Sequence, residues 1–281
     1  MMKINVARSA GFCSGVKRAF TIAFDMAKHK NKVCMLGDIV HNEDVVMQIR
    51  NAGIKKIKRL SENNGKILLI RAHGISQKIL QRAQKLGYTI VDATCPMVKE
   101  IHRTAIKAEN QGYTIIVIGD KKHDEVRGII GQLRTKTIVV SPKEKFPLSR
   151  IKKLKKAAVV VQSTQDYEKV LPVVDMLKQY IQDVRFFNTI CRPTRIKQQE
   201  MKCLPRENDV MLVIGSKTSA NTKRLFEISK SLNKNSYWIQ SKNDLQTKWF
   251  KGTRSVGITA GASTPDETTE AVVASLKNLA L

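Results

Sequence analysis

Short apolar runs rich in Val and Ile recur along the chain, and most are followed by a polar turn and then by apolar residues at helical spacing. The runs predict strands at residues 4–7, 33–40, 67–71, 89–92, 114–118, 137–140, 158–161, 184–188, 210–214, 237–239 and 256–259. The helical spacing predicts helices at residues 14–28, 43–51, 76–85, 96–111, 165–182, 222–232 and 265–279. Such alternation is typical of α/β proteins with largely parallel sheets, so the pattern predicts that fold class.

Side chains capable of chemistry follow most of the predicted strands. Their position matters because ligands of open α/β sheets bind beyond the carboxyl ends of the strands. In chain order, these side chains are Cys13, His41, His73, Cys95, His123 with Glu125, Ser163 with Thr164, Cys191, Ser219 with Asn221, and Ser263. Structural alternatives exist, because Ser219, Asn221 and Ser263 precede predicted helices and could simply cap them. His41 and His73 could each bond a backbone carbonyl.

Three of the five cysteines lie where a predicted strand meets a turn or a helix N-terminus. Cys13 is flanked by glycines, Cys95 precedes a proline, and Cys191 precedes Arg-Pro-Thr. The positive end of a helix favours a thiolate, although a free cysteine can also be a small buried hydrophobe. Cys34 lies inside a predicted strand and Cys203 in a segment expected to be helical, so neither is expected in a site. Spacings of 82 and 96 residues exclude a local zinc finger and leave a metal centre or an iron–sulfur cluster open.

The composition is that of a folded globular protein, since 281 residues with 42% hydrophobic content are enough to bury a large core. The N-terminus shows no signal-peptide pattern, and no apolar stretch approaches the roughly 18 residues of a membrane span. We therefore expect a soluble cytoplasmic protein with thiols rather than disulfides. The G-x-G-x-x-G and G-x-x-x-x-G-K-[ST] loops are absent from the sequence, which argues against bound NAD or ATP.

The chain is strongly basic, with 50 Lys and Arg against 24 Asp and Glu and a formal net charge of +26. Such a charge suits nucleic acid, a membrane surface or a small anionic substrate, and it can also reflect a lysine-biased surface without a specific partner. The basic residues are dispersed apart from two dense patches at residues 55–59 and 150–156. Charge alone therefore does not select a partner.

Six segments form a recognisable set in a fixed order. They are Gly11-Phe-Cys-Ser-Gly-Val, Val40-His-Asn, Arg71-Ala-His-Gly-Ile-Ser-Gln, Asp92-Ala-Thr-Cys-Pro, Gly215-Ser-Lys-Thr-Ser-Ala-Asn-Thr and Thr259-Ala-Gly-Ala-Ser-Thr-Pro-Asp. Together they resemble the LytB family of 4-hydroxy-3-methylbut-2-enyl diphosphate reductases over about residues 3–278. The resemblance is specific because three cysteines, three histidines and the serine and asparagine loops all fall in register.

The resemblance implies three α/β domains with mainly parallel sheets, related by pseudo-threefold symmetry around a central [4Fe-4S] cluster. On this chain the implied domains are residues 14–95, residues 96–190, and residues 191–281 together with 1–13. The cluster ligands would be Cys13, Cys95 and Cys191, with one iron left open. The implied substrate-binding residues are His41, His73, His123, Ser163, Ser219, Ala220, Asn221 and Ser263. Glu125 would supply protons.

The implied reaction is the reductive dehydroxylation of (E)-4-hydroxy-3-methylbut-2-enyl diphosphate to isopentenyl and dimethylallyl diphosphate. It is the last step of the methylerythritol phosphate route to isoprenoids, and it uses two electrons and two protons. The electrons would come from ferredoxin or flavodoxin, acidic proteins that suit a basic surface, because no flavin or nicotinamide motif is visible. Neither nucleic acid nor a membrane is an expected partner.

The chain departs from the family pattern at a few positions. Ala220 lies where the family usually has a second serine, so one hydrogen bond to the diphosphate, of the order of 1 kcal/mol, is expected to be missing. The family's paired threonine after glutamine is Ser163-Thr164 here, which keeps a hydroxyl. The segment His123-Asp-Glu-Val keeps both functional groups of its family counterpart.

Two other classes of protein stay open from the sequence. A three-cysteine zinc hydrolase or deaminase would need an activated water, but the H-x-E and P-C-x-x-C signature is absent. A nucleic-acid-binding module is suggested only by the net charge, since no recognition-helix or RNA-binding signature is present. Metal analysis and the salt dependence of nucleic-acid binding would distinguish these classes from the reductase.

Overall fold

The computed structural model describes residues 2–28, 32–62 and 65–278. Within these ranges the chain forms twelve strands and ten α-helices. The strands are β1 (Lys3–Val6), β2 (Val33–Leu36), β3 (Lys55–Ile57), β4 (Ile67–Ile70), β5 (Thr89–Asp92), β6 (Thr114–Ile118), β7 (Ile138–Val140), β8 (Lys156–Val161), β9 (Asp183–Phe186), β10 (Val210–Ile214), β11 (Ser236–Ile239) and β12 (Ser255–Ala260). The helices are α1 (Ser14–Ala27), α2 (Glu43–Asn51), α3 (Gln77–Lys85), α4 (Pro96–Asn110), α5 (Asp124–Ile130), α6 (Leu148–Ile151), α7 (Tyr167–Tyr180), α8 (Arg192–Cys203), α9 (Ala220–Leu232) and α10 (Asp266–Lys277).

The described strands form three four-stranded sheets, with the orders β1-β12-β10-β11, β5-β4-β2-β3 and β9-β8-β6-β7. Every strand pair in them is parallel. Parallel neighbours need crossover connections, which explains the alternation of strands and helices in the sequence. In each sheet, the strand that leads to one of the three predicted cysteine ligands lies at an edge. The predicted α/β class with mainly parallel sheets is confirmed.

The sheets are covered on both faces, as β6 shows. Ile115 and Val117 belong to one buried cluster, whereas Ile116 and Ile118 belong to another. The neighbouring residues of β10 divide between two clusters in the same way. A strand buried on both faces has an almost continuous apolar sequence, and each fully buried aliphatic side chain contributes about 1.5–3 kcal/mol to folding.

The helices are short and have a polar side. The longest described helix, α4, has 15 residues and buries Val98, Ile101 and Ala105, whereas Arg103 and Lys107 are exposed. Among the helices in the described ranges, none has the length and apolar content needed to cross a bilayer.

The chain divides into two compact units. One contains Met1–Lys17, Val40–Met47 and Arg192–Leu281, as far as these are described, and holds the sheet β1-β12-β10-β11. The other contains Arg18–Ile39 and Gln48–Cys191 and holds the remaining two sheets. The three domain boundaries implied by the family resemblance stay a prediction.

All eleven predicted strands and all seven predicted helices are present, with small shifts at their ends. The strand predicted at 33–40 is too long, because Gly37 adopts a φ of 85° and β2 ends at Leu36. The end predicted for the last helix at residue 279 lies outside the described residues. The strands and α-helices for which the pattern predicted no range are β3, α5, α6 and α8, although the helical segment expected around Cys203 is the end of α8.

Candidate functional site

The three predicted cysteine ligands share one local geometry. Each follows an edge strand, and its backbone N–H donates to a carbonyl two residues beyond the end of the neighbouring strand. The bonds are Cys13 N to Ala262 O at 3.1 Å, Cys95 N to Ala72 O at 3.0 Å, and Cys191 N to Ser163 O at 3.0 Å. The next residue is in each case the first residue of a helix, α1, α4 or α8. Three thiols therefore lie at helix N-termini, where the helix dipole stabilises a thiolate.

The two remaining cysteines have different surroundings. Cys34 is buried in β2, where its thiol donates to Ile67 O at 3.4 Å, and burial raises the pKa of this thiol. Cys203 is exposed at the end of α8. The three predicted ligands are partly exposed. Partial exposure with a nearby helix N-terminus suits a metal-binding thiolate better than either a sealed or a fully solvated position.

The donor set fits an iron–sulfur cluster. Thiolate is the soft ligand that such clusters use, and the N–H of Val16 points at the Cys13 Sγ with a distance of 3.5 Å. A backbone N–H directed at sulfur stabilises its negative charge.

Glu125 and Ser163 form a buried pair in the larger unit. Glu125 is 2% exposed, and it lies in the first turn of α5. Its Oε1 accepts the Ser163 N–H at 2.6 Å, and its Oε2 accepts the Ser163 hydroxyl at 2.7 Å. The Ser163 carbonyl in turn accepts the Cys191 N–H. A carboxyl group held in this way is fixed beside a cysteine loop and can hold or release a proton.

Two of the predicted histidines lie beside this pair. The rings of His73 and His123 meet edge to face, with centroids 5.6 Å apart. His123 caps the N-terminus of α5, and its Nδ1 accepts the Glu125 N–H at 3.2 Å. The sequence pattern did not indicate this cap, because it did not predict α5. The cap leaves Nε2 of that ring as the atom that can face a ligand.

In the smaller unit, the loop after β12 connects two of the predicted positions. The Ser263 hydroxyl donates to the His41 carbonyl at 3.0 Å, and Ala262 accepts the Cys13 N–H. Ser263 is buried. One four-residue turn thus holds both the His41 segment and the Cys13 segment.

The loop before α9 combines a helix cap with an unused donor. Ser219 is the N-cap residue, and its hydroxyl accepts the Thr222 N–H at 3.3 Å. Asn221 is 5% exposed, and its Nδ2 has no hydrogen-bond partner in the described part of the chain. A buried amide donor at a helix N-terminus suits an anionic ligand. Ala220 offers only its backbone N–H.

Several residues near these positions were not found from the sequence. Glu43 accepts hydrogen bonds from the hydroxyls of Ser216, at 2.9 Å, and Thr218, at 3.4 Å, and so holds the loop before α9 next to the His41 segment. Arg71 forms an ion pair with Asp124 at 2.6 Å. Arg71 belongs to a segment recognised in the sequence, but nothing in the local pattern around Glu43 marks a contact with a loop more than 170 residues away.

Comparison with known proteins adds a separate line of support. A sequence model of the family described as LytB protein matches residues 4–277. A curated 4-hydroxy-3-methylbut-2-enyl diphosphate reductase of Aquifex aeolicus is 39% identical over 283 aligned positions, covering 99% of this chain and 97% of that protein. Its counterpart in Geobacter metallireducens is 37% identical, covering 99% and 98%.

Two solved structures are also similar. One is a structure of (E)-4-hydroxy-3-methyl-but-2-enyl diphosphate reductase, described as the terminal enzyme of the non-mevalonate pathway, with a TM-score of 0.75, 38% identity and coverage of 99% of this chain and 100% of that one. The other is the reductase of Plasmodium falciparum, with a TM-score of 0.89, 30% identity and coverage of 99% and 89%. With a family match over nearly the whole length, this chain belongs to the LytB protein family.

Proposed function

We propose that this chain catalyses the two-electron reductive dehydroxylation of (E)-4-hydroxy-3-methylbut-2-enyl diphosphate. In this reaction the allylic C–O bond breaks, two electrons and two protons are consumed, and isopentenyl diphosphate or dimethylallyl diphosphate leaves together with one water. The main support is the geometry shared by Cys13, Cys95 and Cys191 at three helix N-termini. Family membership supports the same assignment.

The three cysteines would hold one [4Fe-4S] cluster and leave one iron without a protein ligand. When bound, this group supplies single electrons and a Lewis-acidic iron for the substrate hydroxyl. The protein contributes fixed thiolates, because each cysteine N–H is bonded to a neighbouring loop and cannot shift independently of its sheet.

Glu125 would deliver the proton that converts the departing oxygen to water. Its carboxyl is buried, and its two oxygens accept hydrogen bonds from the N–H and the hydroxyl of Ser163, so the group that would carry the proton is held in a fixed position. The Ser163 hydroxyl would orient the substrate hydroxyl, since its oxygen can still accept a hydrogen bond while it donates to Glu125.

The diphosphate would be bound by side chains that donate hydrogen bonds. The proposed donors are His41, His73, His123, Ser219, Asn221 and Ser263, with the backbone N–H of Ala220. The Ser263 hydroxyl, which donates to the His41 carbonyl, would turn to the diphosphate. The strongest support is the Nδ2 of Asn221, which is buried and has no hydrogen-bond partner among the described residues, because a phosphate oxygen would satisfy it. The net charge of +26 attracts an anionic substrate to the protein.

We assign the electron supply to an acidic protein of the ferredoxin or flavodoxin type, and we place the reaction in the cytoplasm. The basic surface supports this choice, because opposite charges speed the encounter of electron-transfer partners.

The test is anaerobic purification followed by measurement of iron, sulfide, the visible spectrum and product formation. We expect a brown protein with close to four irons, and loss of the chromophore in Cys13→Ser, Cys95→Ser and Cys191→Ser, because an alkoxide ligates iron poorly compared with thiolate. Cys34→Ser and Cys203→Ser are the controls and should keep the chromophore. A colourless zinc protein, or equal damage from Cys34→Ser, would contradict the assignment.

A further inference from the structure

Lys197 on α8 is a fully buried lysine in the smaller unit. It is 2% exposed, and it is among the bulkiest fully buried side chains of the described residues. Its Nζ donates to three backbone carbonyls, those of Ser9, Gly11 at 3.0 Å and Ala260 at 3.0 Å. Three carbonyl acceptors match the three protons of an ammonium group, so this arrangement places a positive charge inside the unit.

The carbonyls that Lys197 binds belong to the two segments that fix Cys13. Gly11 lies two residues before Cys13 and has a φ of 93°, a conformation that favours glycine. Ala260 ends β12, and two residues later Ala262 accepts the Cys13 N–H at 3.1 Å. Lys197 therefore bridges the segment before Cys13 to the segment that holds the backbone of Cys13.

Glu200 adds a second contact from the same helix. It lies one turn after Lys197, and its Oε2 accepts the Ser9 N–H at 3.2 Å as well as the Ser9 hydroxyl. A cation and an anion spaced three residues apart on α8 thus bind the carbonyl and the N–H of the same residue. The two contacts restrain both the position and the orientation of the peptide at Ser9.

Stability alone is a weak explanation for a buried ammonium. Its desolvation is costly, and apolar side chains of similar volume often replace buried charges without loss of stability. A role at the site explains the buried ammonium better, because it contacts the loop before a proposed cysteine ligand. The ammonium fixes this loop, and its positive charge stabilises negative charge on a nearby thiolate.

We propose that Lys197, assisted by Glu200, is a positioning residue for Cys13 as a cluster ligand. The inference rests on the proposed role of Cys13 in binding the cluster. It adds that α8 sets the conformation of the Cys13 loop before any metal binds, and that the buried charge favours the reduced, more negative form of the bound cluster.

The first measurement follows backbone hydrogen exchange by mass spectrometry in the full-length, cluster-free chain. In Lys197→Met the aliphatic stem is kept and the ammonium is lost. We expect exchange of the segment at residues 8–13 to accelerate about tenfold, the order expected when a charged hydrogen-bond contact is lost. The segments around Cys95 and Cys191 serve as internal references and should be unchanged. Lys202→Met, at an exposed position of the same helix, is the matched control.

Glu200→Gln provides a second variant that keeps the buried cation, and it should accelerate exchange at the same segment by a smaller factor. Unchanged exchange at residues 8–13 in both variants would overturn the proposal. Equal acceleration around all three cysteines would also overturn it, since it would show general destabilisation rather than positioning.

The second measurement uses the reconstituted protein. Lys197→Met should lose its cluster faster in the presence of an iron chelator and should have a lower reduction potential, whereas Lys202→Met should match the wild type. A wild-type potential and wild-type cluster lifetime in Lys197→Met would contradict the proposal. Failure of the proposed function gives a different result, because a Cys13→Ser protein that kept its cluster would remove Cys13 as a ligand whatever the exchange data showed.

Discussion

At the scale of single residues, Glu125 shows how a common side chain acquires a defined role. A glutamate in a polar segment is usually a surface residue, but this one is 2% exposed and accepts two hydrogen bonds from Ser163. Its own N–H is bonded to the His123 ring. Both the position of the carboxyl and the direction of its oxygens are therefore set by neighbouring groups.

Replacement of Glu125 by glutamine should separate binding from chemistry. Glutamine fits the same network, because its Oε1 can accept the Ser163 N–H while its Nε2 donates to the Ser163 hydroxyl. It has no carboxylic proton to give, so turnover should fall on the order of 10²–10⁴-fold, the usual span for losing a positioned general acid. The measurement is steady-state turnover beside the visible spectrum of the cluster and its change on adding substrate.

The control for this prediction is Glu207→Gln, an exposed position that should keep wild-type turnover. Normal turnover in Glu125→Gln would remove Glu125 from the mechanism. Loss of the cluster in that variant would show instead that its role is structural.

His102 should make the larger unit sensitive to acid. It lies on α4, its Nε2 is buried without a hydrogen-bond partner among the described residues, and burial lowers its pKa from 6.5 to about 4 against an opposing effect of Asp92. Between these two values the unfolded chain binds a proton that the folded chain excludes. The free energy of unfolding should therefore fall as the pH falls from 6.5 to 4, by at most about 3 kcal/mol.

The check is thermal unfolding of the cluster-free chain at pH 7.5 and pH 5 for the wild type and for His102→Leu. We expect the variant to lose less stability between the two pH values than the wild type. The pKa of Asp92 is lowered by bonds from Lys99 and Thr94 despite its burial, so stability from Asp92 is lost only at lower pH. An unchanged pH dependence in His102→Leu would show that the ring is protonated easily in the folded state.

At the scale of elements, the alternation of apolar runs and helical segments was sufficient to find every strand of the three sheets except β3. The sequence of β3 begins with two lysines, and such an edge strand has no alternation to detect. The helix α8 was missed because its start, Arg192-Pro-Thr, resembles a turn, although proline is favoured in the first turn of a helix. The other two helices without a predicted range, α5 and α6, have only seven and four residues, too few to show a helical period.

Only part of the candidate site could be predicted from the sequence. Position at a strand end was enough to select the three cysteines, and the structure gives them one shared geometry. The pairing of Glu125 with Ser163 joins residues 38 apart in sequence, and the contacts of Lys197 with Ser9 and Gly11 join residues more than 180 apart. Contacts of that range depend on how the strands order themselves in a sheet, which a single sequence does not specify.

The turn that begins α9 requires glycine at position 215. Gly215 has a φ of 144°, and a Cβ there would lie 2.6 Å from Thr264 Oγ1 and 2.7 Å from Thr222 Oγ1. Gly215→Ala should therefore lower the free energy of unfolding by about 1–3 kcal/mol and displace the Asn221 loop. Urea unfolding measures the first effect, and substrate affinity measures the second.

Gly252→Ala is the matched control for this prediction. Gly252 also has a positive φ, 68°, but a Cβ there would meet no atom of the described residues within 4 Å. Its replacement should cost only the backbone strain, roughly 1 kcal/mol, and should leave substrate affinity unchanged. Equal losses in the two variants would show that the two threonines do not restrict position 215.

At the scale of the whole molecule, the three sheets have the same plan. Each has an edge strand that leads to one cysteine, and in each the cysteine N–H is bonded beyond the neighbouring strand. The four-stranded sheet and the cysteine that follows its edge strand occur three times. The chain therefore supplies three thiols in similar positions without a local cysteine motif. This explains why the cysteines are so far apart in the sequence.

The net charge of +26 is the other property of the whole molecule, and much of it lies on exposed residues. In the patch at residues 55–59, both lysines of β3 together with Lys58 and Arg59 are exposed. Lysines on an edge strand also prevent sheet-to-sheet aggregation, so the patch has a structural explanation besides a role in docking. The two explanations differ in how electron delivery should respond to salt.

If the basic surface attracts an acidic electron donor, the rate of electron delivery should fall as salt is added. The Debye length shortens from roughly 30 Å at 0.01 M to about 10 Å at 0.1 M, which screens long-range attraction between separate proteins. Stopped-flow reduction of the cluster by reduced ferredoxin or flavodoxin should therefore slow markedly over this range, because steering acts on the association step. A small reductant of little charge should show a much weaker dependence of its rate on salt, since it is not steered.

The double variant Lys58→Glu with Arg59→Glu should flatten the salt curve for the protein donor and leave the rate with the small reductant unaffected. Equal salt curves for the two donors would mean that the positive charge is a feature of surface composition rather than of partner recognition.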